Sequence, residues 1–393
     1  MTPAEPLPID IGRYRTYAAI GGVAGLAVCV LGWLLDPGQF FHSYLFGFMF
    51  WFGIGSGCLA VLMLHHMVGG EWGFVIRRLL ETGTRTVPLM ALLFIPILFG
   101  IPYLYEWSHP EVVANDHLLQ EKQAWLNVPF FIVRVVIYFA IWIGLAFFLN
   151  RFSSQQDVSE DPALPTRRLR NISAPGIILW GLAVTFASID WVMSMEPHWF
   201  STMYGALYVV GQALSAFAFT ITVVILLSTR PPLSRVLGVS QLHDLGNLLF
   251  AFVMLWAYVS FSQFLIIWSG NITEEIPWYL RRTSGGWVLL PILLIAFHFT
   301  IPFFVLLMRD VKRRANRLVW IAAWIVLMRL VDLFWLIEPA YHGRALSVHW
   351  LDLAAPIGIG GLWIAWFLWQ LPARPLVPLQ APQMVNGDTP HAH

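Results

Sequence analysis

Charge is what this sequence has least of. Only 11% of its 393 residues are Asp, Glu, Lys or Arg, against about a quarter in a soluble domain. A surface facing water on all sides is therefore excluded. Cysteine is nearly absent too. Cys29 and Cys58 stand in separate apolar runs, too few for an iron–sulfur cluster or a Cys-rich zinc site held by this chain. They read as buried thiols acting as small hydrophobes. A net charge of +1 points to no nucleic acid partner. No polar stretch is long enough for a soluble catalytic domain, so any redox chemistry outside the membrane falls to other chains.

What is present is hydrocarbon. The chain is 58% hydrophobic and holds 20 Trp. A spanning helix needs about 20 mainly apolar residues. Ten segments qualify: 17–35, 43–68, 87–107, 126–150, 174–196, 202–227, 245–268, 286–308, 316–338 and 351–372. The runs are long and do not alternate, which predicts helices rather than a barrel. The first is longer than the apolar core of a signal peptide, about 7–15 residues, and reads as a retained helix. The expectation is an all-α integral membrane protein: an arm at 1–16, a membrane domain at 17–372, and a Pro-rich, disordered tail at 373–393.

Loop charge predicts orientation. The arm carries Arg13 and Arg15, and every second loop is basic: Arg77, Arg78 and Arg85; Arg151, Arg167, Arg168 and Arg170; Arg230 and Arg235; Arg309, Lys312, Arg313, Arg314 and Arg317. With Arg374, seventeen cations fall on one side. Lys122, Arg281, Arg282 and Arg344 make four on the other. Both termini are thus expected in the cytoplasm. The inner loop 151–173 is polar, and the outer loops 108–125 and 269–285 are long enough to pack on a partner. GEWGFVIRRLLE, after Gly69 and Gly70, reads as an amphipathic interfacial helix whose Arg77 and Arg78 suit anionic lipid headgroups.

Acid in the apolar runs needs a reason. The fifth segment holds SIDWVMSMEPHW and the ninth RLVDLFWLIEPAYH, so Asp190 and Asp332 are each followed by Glu, at 196 and 338, and then Pro. This shared D-x5-E-P, four segments apart, predicts a parallel repeat of two four-helix units, 43–197 and 202–339. Six residues span about 9 Å of helix, which puts each Asp that much deeper than its Glu. The following Pro disfavours helix at the Glu. An Asp in hydrocarbon costs roughly 2.5–3.5 kcal/mol on insertion scales. Asp190 and Asp332 must then be paired, protonated or turned inward. Arg134 and Arg329, the two cations inside segments, are the expected partners. Two readings stay open: ion pairs that lock helices, or proton carriers.

Other polar groups divide the same way. His298 lies near the expected midplane, as a hydrogen-bonded core residue or as a proton relay or quinone contact. Glu106 closes the third segment as a solvated cap or an outer proton group. Asp244, beside His243, opens the seventh as a helix cap or a proton inlet. Tyr258 and Gln263 read as core hydrogen-bonding groups. His65, His66 and His243 lie at inner ends, and no midplane partner for His298 exists, which argues against bound haem.

HHMVGGEWGFVIRRLLE with PLMALLFIPILFGIPYLYEW, the D-x5-E-P of the fifth segment, and DLGNLLFAFVMLWAYVSFSQFLIIWSGNITEEIPWYLRR together carry a resemblance. The chain resembles the ActF-type subunits of bacterial alternative complex III, among the NrfD-like, polysulfide-reductase-type membrane anchors. The resemblance covers nearly the whole chain. It implies two four-helix bundles, from helices 2–5 and 6–9, flanked by helices 1 and 10. It implies a bacterial inner-membrane subunit of a respiratory or photosynthetic complex that oxidises menaquinol or ubiquinol. No cofactor is expected on this chain beyond an optional quinone. The implied partners are an ActC-like sister subunit, an iron–sulfur subunit, multihaem cytochrome c subunits, lipids and quinol. Quinol oxidation itself is better attributed to the sister subunit, and a proton path to this one. A pure scaffold and a proton-coupled secondary transporter are the competing readings.

Overall fold

The computed structural model describes residues 10–229, 231–343 and 345–379. The arm before Asp10, Arg230, Arg344 and the tail beyond Leu379, all used in the sequence reading, lie outside the described residues. Those residues form helices and turns without a strand. Ten helical segments are long and apolar enough to cross a membrane: α1 Ile11–Leu35, α2 Pro37–Val68, α3 Glu71–Phe99, α4 Val128–Val158, α5 Ala163–Met195, α6 Tyr204–Leu227, α7 Val239–Gly270, α8 Gly285–Leu307, α9 Ala315–His342 and α10 Leu351–Ala373.

Two regions differ from expectation. The polar loop expected at 151–173 is mostly helix, because α4 runs to Val158 and α5 begins at Ala163. GEWGFVIRRLLE forms a helix, Glu71–Thr84, at the start of α3, but its Arg77 and Arg78 are buried among protein side chains rather than free on one face. The cause is shared. Glu81 meets Arg77 at 2.9 Å and Arg78 at 2.7 Å. The α4 extension adds Ser153, Gln156 and Asp157, each bonded to one or both arginines. Arg374, just beyond α10, reaches Glu81 as well, at 3.3 Å. Polar side chains that water would have solvated instead satisfy one another.

Gly69 and Gly70 end α2 with positive φ, 74° and 97°, a backbone that favours glycine. The α2 helix is almost wholly buried and packs on α3, α5, α6 and α10. The α6 helix packs on α2, α5, α7 and α9. Their approach is close, since a Cβ at Gly57 would stand 2.0 Å from the Gln212 carbonyl oxygen. The α1 helix lies along α10, where a Cβ on Gly361 would meet Gly22 Cα at 2.4 Å. Without a hydrophobic drive between helices in lipid, such small-residue contacts let backbones gain dispersion energy. The thiols of Cys29 and Cys58 are free and buried.

Candidate functional site

The D-x5-E-P turns of α5 and α9 lie at one end of the molecule, the acidic end. Arg282 bridges them: its Nη2 donates to Glu196 and to the Leu336 carbonyl.

In the first copy every carboxylate is matched. Asp190, 1% exposed, accepts four hydrogen bonds. Arg134 of α4 donates from Nε at 2.7 Å and Nη2 at 3.0 Å, Tyr138 Oη at 2.7 Å, and Trp125 Nε1 at 2.9 Å. The guanidinium also sits 4.3 Å from the Trp125 ring centroid and 4.5 Å from that of Phe130. Glu196 accepts from Arg281 and Arg282 at 2.7 Å each. Arg282 stacks over Trp278 at 3.9 Å. The pairing of Arg134 with Asp190 follows the sequence expectation. The Glu196 partners do not appear in that reading. Their signal was available, because the outer loops hold few cations.

The second copy is built differently. Asp332 is paired with Arg329 one turn back and accepts from Trp256 Nε1 at 3.1 Å. Arg329 lies over Gly211 of α6, where a Cβ would be 2.3 Å from its Nη2. The Trp256 and His298 rings meet edge to face, with centroids 4.1 Å apart. His298 is fully buried on a π-helical turn, Leu294–Thr300, and neither ring nitrogen has a partner. Such turns recur at functional sites. On α6, Gln212 Oε1 is also buried without a partner among the described residues, and Tyr208 lies beside Tyr204. Glu338 is 0% exposed, and neither carboxyl oxygen accepts a hydrogen bond from the described residues.

The proline rule holds in one copy only. Glu196 is non-helical, at φ −119° and ψ 73°. Glu338 keeps helical φ −65° and ψ −32°, because α9 continues through Pro339–His342. Pro339 occupies the first position of that turn, where its ring is tolerated.

Glu106 lies on an exposed turn. It lines a cavity of about 260 Å³ with His42, Tyr103, Tyr105, His109 and Tyr341. Asp244 does not cap α7, which starts at Val239; Gln241 Oε1 accepts from the Gly238 N–H there instead. Tyr258 is 67% exposed on the α7 surface and not a core group. Gln263 is buried and bonds Ser201 and Tyr279. Burial pushes the Tyr279 hydroxyl up to about 12. The rings of His65 and His66 lie 5.7 Å apart. Among the described residues no three of His, Cys, Asp and Glu gather as a metal ion would require.

Fold and buried polar groups together define a multi-pass, all-helical membrane protein. No family model and no curated protein matches the chain.

Proposed function

We propose that the chain is a membrane subunit of a quinol-oxidising electron-transfer complex of the alternative complex III type. It sits in a bacterial inner membrane with both termini in the cytoplasm. Its part is proton transfer through the second repeat unit, while iron–sulfur and haem partners carry electrons. The family assignment rests on the resemblance of the quoted stretches. The contact of α2 with α6, the first helix of each proposed unit, fits two four-helix bundles related by a parallel repeat.

The observation that carries the proton reading is the asymmetry of the two copies. Asp190 accepts four hydrogen bonds from Arg134, Tyr138 and Trp125, and each Glu196 oxygen is paired with an arginine. Among the described residues, His298 and Glu338 are buried with hydrogen-bonding capacity unused. Native interiors rarely leave such groups unmatched, and each case asks for a role or a water. Proton carriers must exchange partners, and a saturated ion pair cannot. The structural reading therefore fits the first unit, and the proton reading the second.

The deciding measurement is a reduced-minus-oxidised visible spectrum, taken after adding quinol to the tagged chain purified from its native membranes. A quinol-reducible c-haem signal on co-purified partners is expected. A haem-free, monodisperse protein would remove the complex assignment and bring the transporter reading forward.

A further inference from the structure

A proton path on the Asp332 unit needs an exit. We propose that Glu338 hands protons to the acidic-end surface through His342, into the cavity bordered by Tyr341 and His42. This rests on the proton-carrying role proposed above and names its last carrier.

The geometry runs outward in steps. Glu338 has two acceptor oxygens and, among the described residues, no donor for either; a proton or a water would fill that place. His342, one turn on, holds Nε2 3.6 Å from Glu338 Oε2, and that nitrogen also lacks a hydrogen-bond partner. The gap is longer than a hydrogen bond, and one water or a small ring rotation closes it. The His342 ring stands 5.0 Å from Tyr341, and Tyr341 stacks on His42 at 4.2 Å. Both Tyr341 and His42 line the 260 Å³ cavity, together with Glu106 and His109. Exposure rises along the route, from 0% for the Glu338 side chain to 14% for His342 and 40% for Tyr341.

The surroundings favour exchange over locking. Asp352 of α10 acts on Glu338 electrostatically. Asp352 itself is occupied by Ser43 at 2.5 Å, Gln39 at 3.2 Å and the His349 N–H at 2.8 Å. His342 is faced by Asp352, His349 and Asp36, and Tyr341 by Asp36 and Glu338. His42 Nδ1 is engaged by the Gly38 carbonyl. Among the described residues no arginine or lysine pairs with Glu338, whereas its repeat counterpart Glu196 holds two. In the transfer a proton leaves Glu338 Oε2, is taken up at His342 Nε2, and is lost to water in the cavity. Glu338 is then reloaded from the Asp332 side, about 9 Å deeper along α9. No electron moves.

The test uses the complex purified through this tagged chain and reconstituted in liposomes. Haem reduction by a soluble quinol and proton appearance at the acidic end are followed together for wild type, E338Q, H342Q and E196Q. For E338Q and H342Q the expected result is proton appearance slowed about tenfold or more, with first-turnover haem reduction intact; E196Q should keep the wild-type ratio of protons to electrons. H342Q changes a partly exposed residue and guards against misfolding of E338Q. Wild-type ratios in both E338Q and H342Q would overturn the exit while leaving the proton role standing. A wild-type complex that reduces haem and moves no protons beyond those of quinol would instead remove the proton role itself.

Discussion

At the scale of the residue, an acid's role in this protein is set by its donors. Asp190 is saturated, so its loss should be structural. Breaking one partner of a buried pair costs about 3–5 kcal/mol, because the other charge is left unmatched. Asp190→Asn is expected to lower the thermal midpoint of the detergent-solubilised protein clearly, with turnover per assembled complex unchanged. A turnover defect in fully assembled Asp190→Asn would show that the first unit carries protons after all. His298 should behave in the opposite way. His298→Phe keeps a ring against Trp256 and removes both nitrogens. Turnover is expected to drop about tenfold or more with the midpoint nearly preserved, and equal turnover would mark His298 as packing alone. Sequence inspection located each of these acids and both intramembrane arginines. It could not rank the copies, because D-x5-E-P is the same string in both. What separates them is the neighbour set: Tyr138, Trp125 and Arg134 around one Asp, and Arg329 and Trp256 around the other.

At the scale of the element, close backbone approach is the vulnerable feature. Gly57 faces the Gln212 carbonyl with no room for a side chain. Gly57→Leu should push α2 from α6 and block assembly, read as loss of a monodisperse peak in gel filtration. Normal elution of that variant would mean the two helices separate without cost. The short helix His117–Lys122 has its own pH dependence. Asp116 caps it by accepting from the Leu118 and Leu119 N–H groups. Those bonds, the one to Leu119 foremost, with His198 beside them, hold the Asp116 carboxyl below its usual value. A depressed carboxylate stabilises at neutral pH, and that contribution is lost as pH falls through the carboxylate range. Amide exchange at Leu118 and Leu119 should then quicken relative to neighbouring loop amides on acidification; no change would remove the cap as a stabilising feature. The helical continuation of α4 past Arg151 was hidden from sequence for a related reason. Ser153, Gln156 and Asp157 read as loop residues until Arg77 and Arg78 are placed against them.

At the scale of the whole molecule, orientation is the open quantity with a direct test. The charge bias predicts that the turn between α4 and α5 lies inside and the segment after α7 outside. With Cys29 and Cys58 replaced by Ala, a single Cys at Glu160 should resist a membrane-impermeant thiol reagent applied to intact cells. A single Cys at Thr273 should react. Both positions are exposed, so the reverse pattern would invert the topology and move the Glu338 exit to the cytoplasmic face.

Ten apolar runs, a scarcity of charge and an alternating loop bias determined from sequence alone that the chain crosses a membrane in helices. Hydrocarbon allows almost nothing else at that composition. The same reasoning found the paired acids, since a carboxylate in such a run is costly enough to need an explanation. Tertiary structure alone decided which acids are filled and which are left open. Hydrogen bonds join residues 56 apart, as in Arg134 to Asp190, and 76 apart, as in Trp256 to Asp332. Such bonds depend on which helices pack side by side and on how each is rotated, and neither is written into the local periodicity of a segment that is apolar all round.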